Sequence, residues 1–272
     1  MCEFCHQHGE GKKWYLLMEN YSQELFEKDN RKEFMLDFFA NFEKEDLSAI
    51  VEGLEKLQKA PKLVQKVMKS LTVRKYKKNH FGQVVPIEDL EKIVSMLKVI
   101  VRIPCVCRMA TLGKEVRYCF GVGASMHGET LSDFPDFFSN FDVLKQDEAI
   151  KVLRELDEKG LMHSVWTFKT PFIGGICNCD QDCLAYKSRM LYDLPMFFKA
   201  EYVAQTDWEK CNGCKACKMV CQFGAILYSA TNEKCLIDNK NCFGCGVCRA
   251  VCPYEAITLI ERTSVPELVK EW

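Results

Sequence analysis

The sequence predicts an α+β protein: a mainly helical N-terminal domain with a small β element (1–200), a βαββαβ-like domain (201–262) and a C-terminal tail (263–272). Three features lead there. Apolar residues recur at helical spacing from Ser22 to about Lys98, strand-like runs alternate with cysteine loops over 99–200, and one cysteine pattern occurs twice after Glu201.

The helical part, 22–98, reads in order. Leu25, Phe26, Phe34, Phe38, Phe39 and Phe42 form a first apolar stripe, and Leu47, Ile50, Val51, Leu54 and Leu57 a second. Pro61 suits the first turn of a further helix through Val64, Val67, Met68 and Leu71. Pro86 opens another, whose early acids Glu88 and Asp89 complement the helix dipole. These stripes are expected to pack a core rather than line a cofactor. Val99–Ile103 and Val116–Val122 read as strands, Asp147–Lys159 as an amphipathic helix stopped by Gly160, and Leu161–Phe168 as the strand behind it.

Charge and hydropathy exclude several classes. With 37 basic and 38 acidic residues the chain lacks the electrostatic footprint of a nucleic-acid binder. Its one basic run, Arg74-Lys75-Tyr76-Lys77-Lys78, is expected to be a solvated helix face. No apolar run approaches the roughly 20 residues of a membrane span. The opening Met1-Cys2-Glu3-Phe4-Cys5 lacks the basic and apolar regions of an export signal, so a cytoplasmic location is expected.

Seventeen cysteines are the outlier. An odd count in a chain of this length, without an export signal, argues for thiolates committed to metal rather than for disulfides. Cys211–Ile226 reads CNGCKACKMVCQFGAI, and Cys242–Ile257 reads CFGCGVCRAVCPYEAI. Aligning the two matches all four cysteines, Gly213 with Gly244, Val220 with Val251, and the closing Ala-Ile. A repeat this short cannot bury a core alone, so the halves are expected to pack as a pair.

Each half carries C-x2-C-x2-C-x3-C, in which three thiolates wrap one cubane and the fourth ligates its neighbour. Cys211, Cys214, Cys217 and Cys252 are thus expected to hold one [4Fe–4S] cluster, and Cys242, Cys245, Cys248 and Cys221 the other. Structural zinc, the alternative, needs neither the third in-step cysteine nor the repeat. Here the sequence resembles the two-cluster bacterial-type ferredoxin family, over about its last 60 residues. It departs once: Pro253 follows Cys252, but Gln222 follows Cys221 where the family has proline. Cys235, between the halves, is expected to be a small buried residue.

Eight more cysteines lie before residue 200. Cys105, Cys107, Cys119, Cys177, Cys179 and Cys183 fall in three loops that are expected to converge on a third site. A third [4Fe–4S] cluster is the favoured occupant; zinc or another metal, or simple burial of the thiols, is the alternative. The strings PCVCR, CFGVG and ICNCDQDC, joined to the cysteine repeat, look like a group of ferredoxin-domain proteins of anaerobic bacteria and archaea; the resemblance implies an iron–sulfur oxidoreductase component and supplies no substrate. Cys2, Cys5 and His8, with His6 as the less favoured ligand, suggest an additional metal site. Their C-x2-C-H pattern is also that of haem c attachment, which is disfavoured without export. Phe120-Gly121-Val122-Gly123 lacks the third glycine of a dinucleotide-binding loop, so no organic cofactor is expected.

The expected function is iron–sulfur electron transfer: two clusters carry single low-potential electrons to or from the N-terminal site, and a redox partner protein, an oxidoreductase or an electron donor, docks on the chain. Two alternatives remain at this stage. The N-terminal site is catalytic and the clusters feed it, or the thiolates act as a redox sensor. No residue is assigned a catalytic role; Arg108, His127 and His163 are candidate neighbours of such a site. The surplus of thiols over the four that one cubane needs favours a coordinatively saturated third cluster and no turnover by the isolated chain.

Overall fold

The fold is described from a computed structural model covering residues 13–44, 47–127, 130, 133 and 141–268. It contains both helices and strands, an α+β chain. Among the described residues four helices, Gln23–Phe26, Arg31–Lys44, Leu47–Lys59 and Lys62–Asn79, precede the first strand. Strands β1 (Gly82–Val85), β2 (Ile100–Ile103), β3 (Cys119–Val122), β4 (Asp142–Leu144), β5 (Met162–Thr167), β6 (Ile173–Cys179) and β7 (Phe197–Phe198) form one sheet. Its order is β4-β2-β3-β6-β5-β1-β7, antiparallel except for the parallel β1–β7 pair.

Two expectations need correction. The β element is not small, because a seven-stranded sheet organises the N-terminal part. The helical reading of 22–98 also hides β1, which lies inside that span and pairs with both β5 and β7. Gln83-Val84-Val85 is too short to show a period, yet all four β1 residues are buried. The second correction concerns packing. Val64, Val67, Met68 and Leu71 are exposed at 45%, 51%, 47% and 60%, and helix Lys62–Asn79 buries no residue.

The period of two along each strand gives the sheet two unlike faces. One carries Val85, Ile100, Phe120, Val165 and Ile176 against helices Ile87–Met96 and Gln146–Glu158. Leu90, Ile93, Leu153 and Leu156 complete that core, each contributing about 1.5–3 kcal/mol of burial. The other face carries Val84, Met162, Trp166, Cys177 and Cys179, packed in part against the C-terminal unit.

That unit runs β8 (Tyr202–Thr206), helix Ala216–Val220, β9 (Ile226–Ser229), β10 (Lys234–Ile237), helix Val247–Ala250 and β11 (Ile257–Glu261). β8 pairs with β11 and β9 with β10, both antiparallel. Its attachment is polar and specific. Asp89, fully buried, accepts hydrogen bonds from Tyr15 Oη at 2.9 Å and from Tyr202 Oη at 3.0 Å, and pairs with Lys92 at 2.8 Å. Arg262, also buried, donates to the carbonyls of Ala200, Tyr202 and Cys242. Arg249 pairs with Glu88 across the junction.

Candidate metal centres

In the C-terminal unit each half-repeat places its first two cysteines in the turn before a short helix, the third inside that helix (Cys217, Cys248) and the fourth beyond it. The turn is close. Gly213 and Gly244 take φ of 72° and 70°, and a Cβ at either would lie 2.1 Å from a carbonyl oxygen, of Glu233 or of Tyr202. Only glycine fits at these positions. The result is two hollows. Cys211, Cys214, Cys217 and Cys252 line one, with Cys235, and Cys221, Cys242, Cys245 and Cys248 line the other.

The thiols are costly to ionise without a cation. Burial raises the Cys245 pKa to about 12, and Cys242, Cys221 and Asp157 add to the shift. Burial raises Cys217 to about 12 as well, with Cys235 as its next neighbour. Backbone N–H groups work the other way: Ala204 N donates to Cys242 Sγ and Ala256 N to Cys252 Sγ, each at 3.4 Å. A set of four thiols around a hollow, with amides aimed at sulfur, fits a [4Fe–4S] cluster.

The N-terminal cysteines come from three neighbouring strands. Cys105 follows β2, with Cys107 in the next helix, Val106–Leu112. Cys119 opens β3, and Cys177 and Cys179 share one face of β6. Cys183 caps helix Leu184–Met190. Strand order β2-β3-β6 brings them together, and all six line one cavity of about 440 Å³. Cys119 Sγ lies 3.3 Å from Cys105 Sγ and 3.8 Å from Cys177 Sγ.

Sulfur dominates the local electrostatics. Hydrogen bonding with Cys105 and Cys177, and the nearby Arg108 guanidinium, hold Cys119 well below the usual thiol range. Cys105 and Cys177 are correspondingly raised, chiefly by that same sharing with Cys119. Burial raises Cys107 to about 12, against the N–H groups of Ala185 and Leu184 at the start of their helix. Arg108, almost fully buried, is the cation of the site. It pairs with Asp180 at 2.8 Å and donates to Cys105 Sγ at 3.6 Å and to Asn178 O at 3.2 Å.

Among the described residues, no three His, Cys, Asp or Glu side chains converge closely enough to hold a single metal ion. This is true of the ferredoxin-like hollows as well.

Other candidate residues lie elsewhere. His163 is buried on the opposite face of the sheet, with Nδ1 2.6 Å from Asn178 Oδ1, and His127 is exposed. Cys2, Cys5, His6 and His8 fall outside the described residues. Sequence reasoning missed the link between sites. Gln222, which replaces the expected proline, donates from Nε2 to the carbonyls of Gly160 at 2.5 Å and Cys179 at 3.3 Å. Tyr186 Oη donates to the Gln222 carbonyl at 2.5 Å. The departure from the family pattern was the available signal.

Residues 210–256 match the family described as a 4Fe-4S dicluster domain. No curated protein matches the chain. The family match supports iron–sulfur cluster binding and electron transfer in general terms, and no helix among the described residues is long and apolar enough to cross a membrane.

Proposed function

We propose that the chain exchanges single low-potential electrons between two [4Fe–4S] clusters in residues 201–262 and a third iron–sulfur site in residues 1–200. In this reading Cys211, Cys214, Cys217 and Cys252 hold the first cluster, and Cys242, Cys245, Cys248 and Cys221 the second. The third, a [4Fe–4S] cluster, takes its ligands from Cys105, Cys107, Cys119, Cys177, Cys179 and Cys183. When bound, such clusters supply one-electron carriers whose potential follows hydrogen bonding and solvent exposure.

The observation that carries the reading is the convergence of six thiols on one cavity, beside the strand end that Gln222 grips. The residues themselves do the positioning. Arg108 and the amides of Leu184 and Ala185 offset thiolate charge in a buried site. Gln222 ties the backbone next to Cys221 to the backbone of Cys179, so the second and third sites share a rigid junction. An oxidoreductase or an electron donor is the partner class this function requires, in a cytoplasmic setting.

The test is iron, sulfide and zinc analysis of the full chain after anaerobic reconstitution, beside a Cys119→Ala/Cys177→Ala double variant. About twelve iron and twelve sulfide per chain are expected, falling to about eight in the variant, as three and two cubanes require. Eight iron in both proteins, with or without zinc, would contradict the third site.

A further inference from the structure

The cavity extends well beyond its thiols. Its far wall is aromatic: Phe38, Phe39, Tyr76, His80, Trp166 and Phe168 all line it. The His80 ring lies 4.4 Å from Phe38, 4.9 Å from Phe168 and 5.0 Å from Trp166, centroid to centroid. The whole space, thiol end included, measures about 440 Å³, so the third-site cluster of the proposed reading and a small aromatic ring share it.

The floor is unusual. Gly175 stands two residues before Cys177 on β6, hence on the same face, and pairs with Gly121 on one side and Trp166 on the other. A Cβ built at Gly175 would meet nothing closer than 3.8 Å, at the Phe120 carbonyl oxygen, the Phe168 ring and Trp166 Cβ. Its φ is not in the left-handed region, so neither backbone nor packing demands glycine here. Glycine inside a strand costs about 0.5–1 kcal/mol and often marks the close approach of a ligand.

One polar group faces an unmet need, and a second offers an acceptor. Ser188 lines the cavity fully buried, and its Oγ has no hydrogen-bond partner among the described residues, a deficit of about 1–3 kcal/mol. His80 places Nδ1 2.6 Å from Thr167 O; the carbonyl can only accept, so the ring carries its proton there and keeps Nε2 as an acceptor. Among the described residues no carboxylate lines the cavity, and its charged residues are Lys75 and Arg108, which favour a neutral or anionic ligand.

We propose that this chamber binds a flat aromatic molecule, neutral or anionic and bearing an oxygen or nitrogen substituent, with its ring over Gly175 against Trp166 and Phe168 and its substituent at Ser188 Oγ. The binding claim stands on the cavity and deepens the preceding reading, whose third site shares that cavity.

The probe is 1-naphthol, with decahydro-1-naphthol as its non-aromatic counterpart, measured by anaerobic equilibrium dialysis against the reconstituted full chain. Saturable binding of one naphthol per chain is expected, at least tenfold tighter than that of the saturated alcohol. Gly175→Leu, which fills the floor, should weaken it at least tenfold, and Ser188→Ala about fivefold, with iron content unchanged in both. Absence of saturable binding, or equal binding of the two alcohols, would overturn the proposal, as would undiminished binding to both variants. If Gly175→Leu fails to fold, Ser188→Ala and the alcohol pair decide. Iron analysis of the same samples separates the claims: naphthol binding with only eight iron refutes the third cluster and keeps the chamber, whereas twelve iron without binding refutes the chamber alone.

Discussion

Gln222 and Cys179 are joined by a hydrogen bond of 3.3 Å, from the side-chain amide of one to the backbone carbonyl of the other. The same amide also donates to Gly160 O, so one side chain satisfies two carbonyls where the N-terminal sheet meets the ferredoxin-like repeat. Proline, which follows Cys252 in the other half, has no donor to offer there.

Removing that amide should loosen the junction. Gln222→Ala is expected to cost about 1–2 kcal/mol, the scale of two partly buried acceptors losing their donor. Gln222→Glu should cost more, because a carboxylate would face two carbonyl oxygens. Urea unfolding of the reconstituted proteins checks the order, with iron content as the control for intact cluster sites. Equal stability of Gln222→Glu and the parent would show that the junction does not depend on this residue.

Cys235 separates a lining residue from a ligand. It is 2% exposed and borders the first hollow with Cys217, yet it lies outside the repeat. Cys214→Ser is expected to lose about four iron from the first site and Cys245→Ser about four from the second, as expected for one cubane each. Cys235→Ala should keep the full complement and lose only about 1 kcal/mol of stability, the scale of a small core truncation. A loss of iron in Cys235→Ala equal to that in Cys214→Ser would make Cys235 a ligand.

How far the sequence spoke depended on how local each signal was. The ferredoxin-like sets were readable because three cysteines of each fall within seven residues of chain, repeated with the same spacing. The six N-terminal cysteines could be grouped, but their meeting place depends on β2, β3 and β6 being neighbours, which is a long-range property. Strand β1 was hidden because four residues carry no period, and its place is set by β5 and β7. Helix Lys62–Asn79 shows the converse limit: periodicity finds the Val64, Val67, Met68 and Leu71 stripe but does not say whether anything covers it.

That exposure has a measurable consequence. Leu71→Gln, on an exposed position, should change stability by no more than about 0.5 kcal/mol. Ile93→Ala, in the fully buried core, should cost about 2–5 kcal/mol. Denaturant titration of the two variants would contradict the packing described if their costs were alike.

His80 should make stability depend on pH. Burial lowers its pKa from 6.5 to about 4, against the opposing hydrogen bond to Thr167 O. A base depressed on folding contributes its full stability above the unfolded value and loses it as pH falls from 6.5 toward the folded value. Between pH 6.5 and 5 the loss should reach up to about 2 kcal/mol. His80→Gln, which cannot titrate, should lose correspondingly less over the same interval by urea unfolding. Identical losses in the two proteins would rule out His80 as the source.

The most direct test of electron exchange between the sites is a reductive titration of the full chain followed by EPR. Neighbouring reduced centres broaden one another's signals by spin–spin interaction. The account predicts such broadening between the C-terminal clusters and a third centre, with the third contribution lost in Cys119→Ala/Cys177→Ala while the two-cluster spectrum persists. A titration spectrum identical in the parent and the double variant would contradict it.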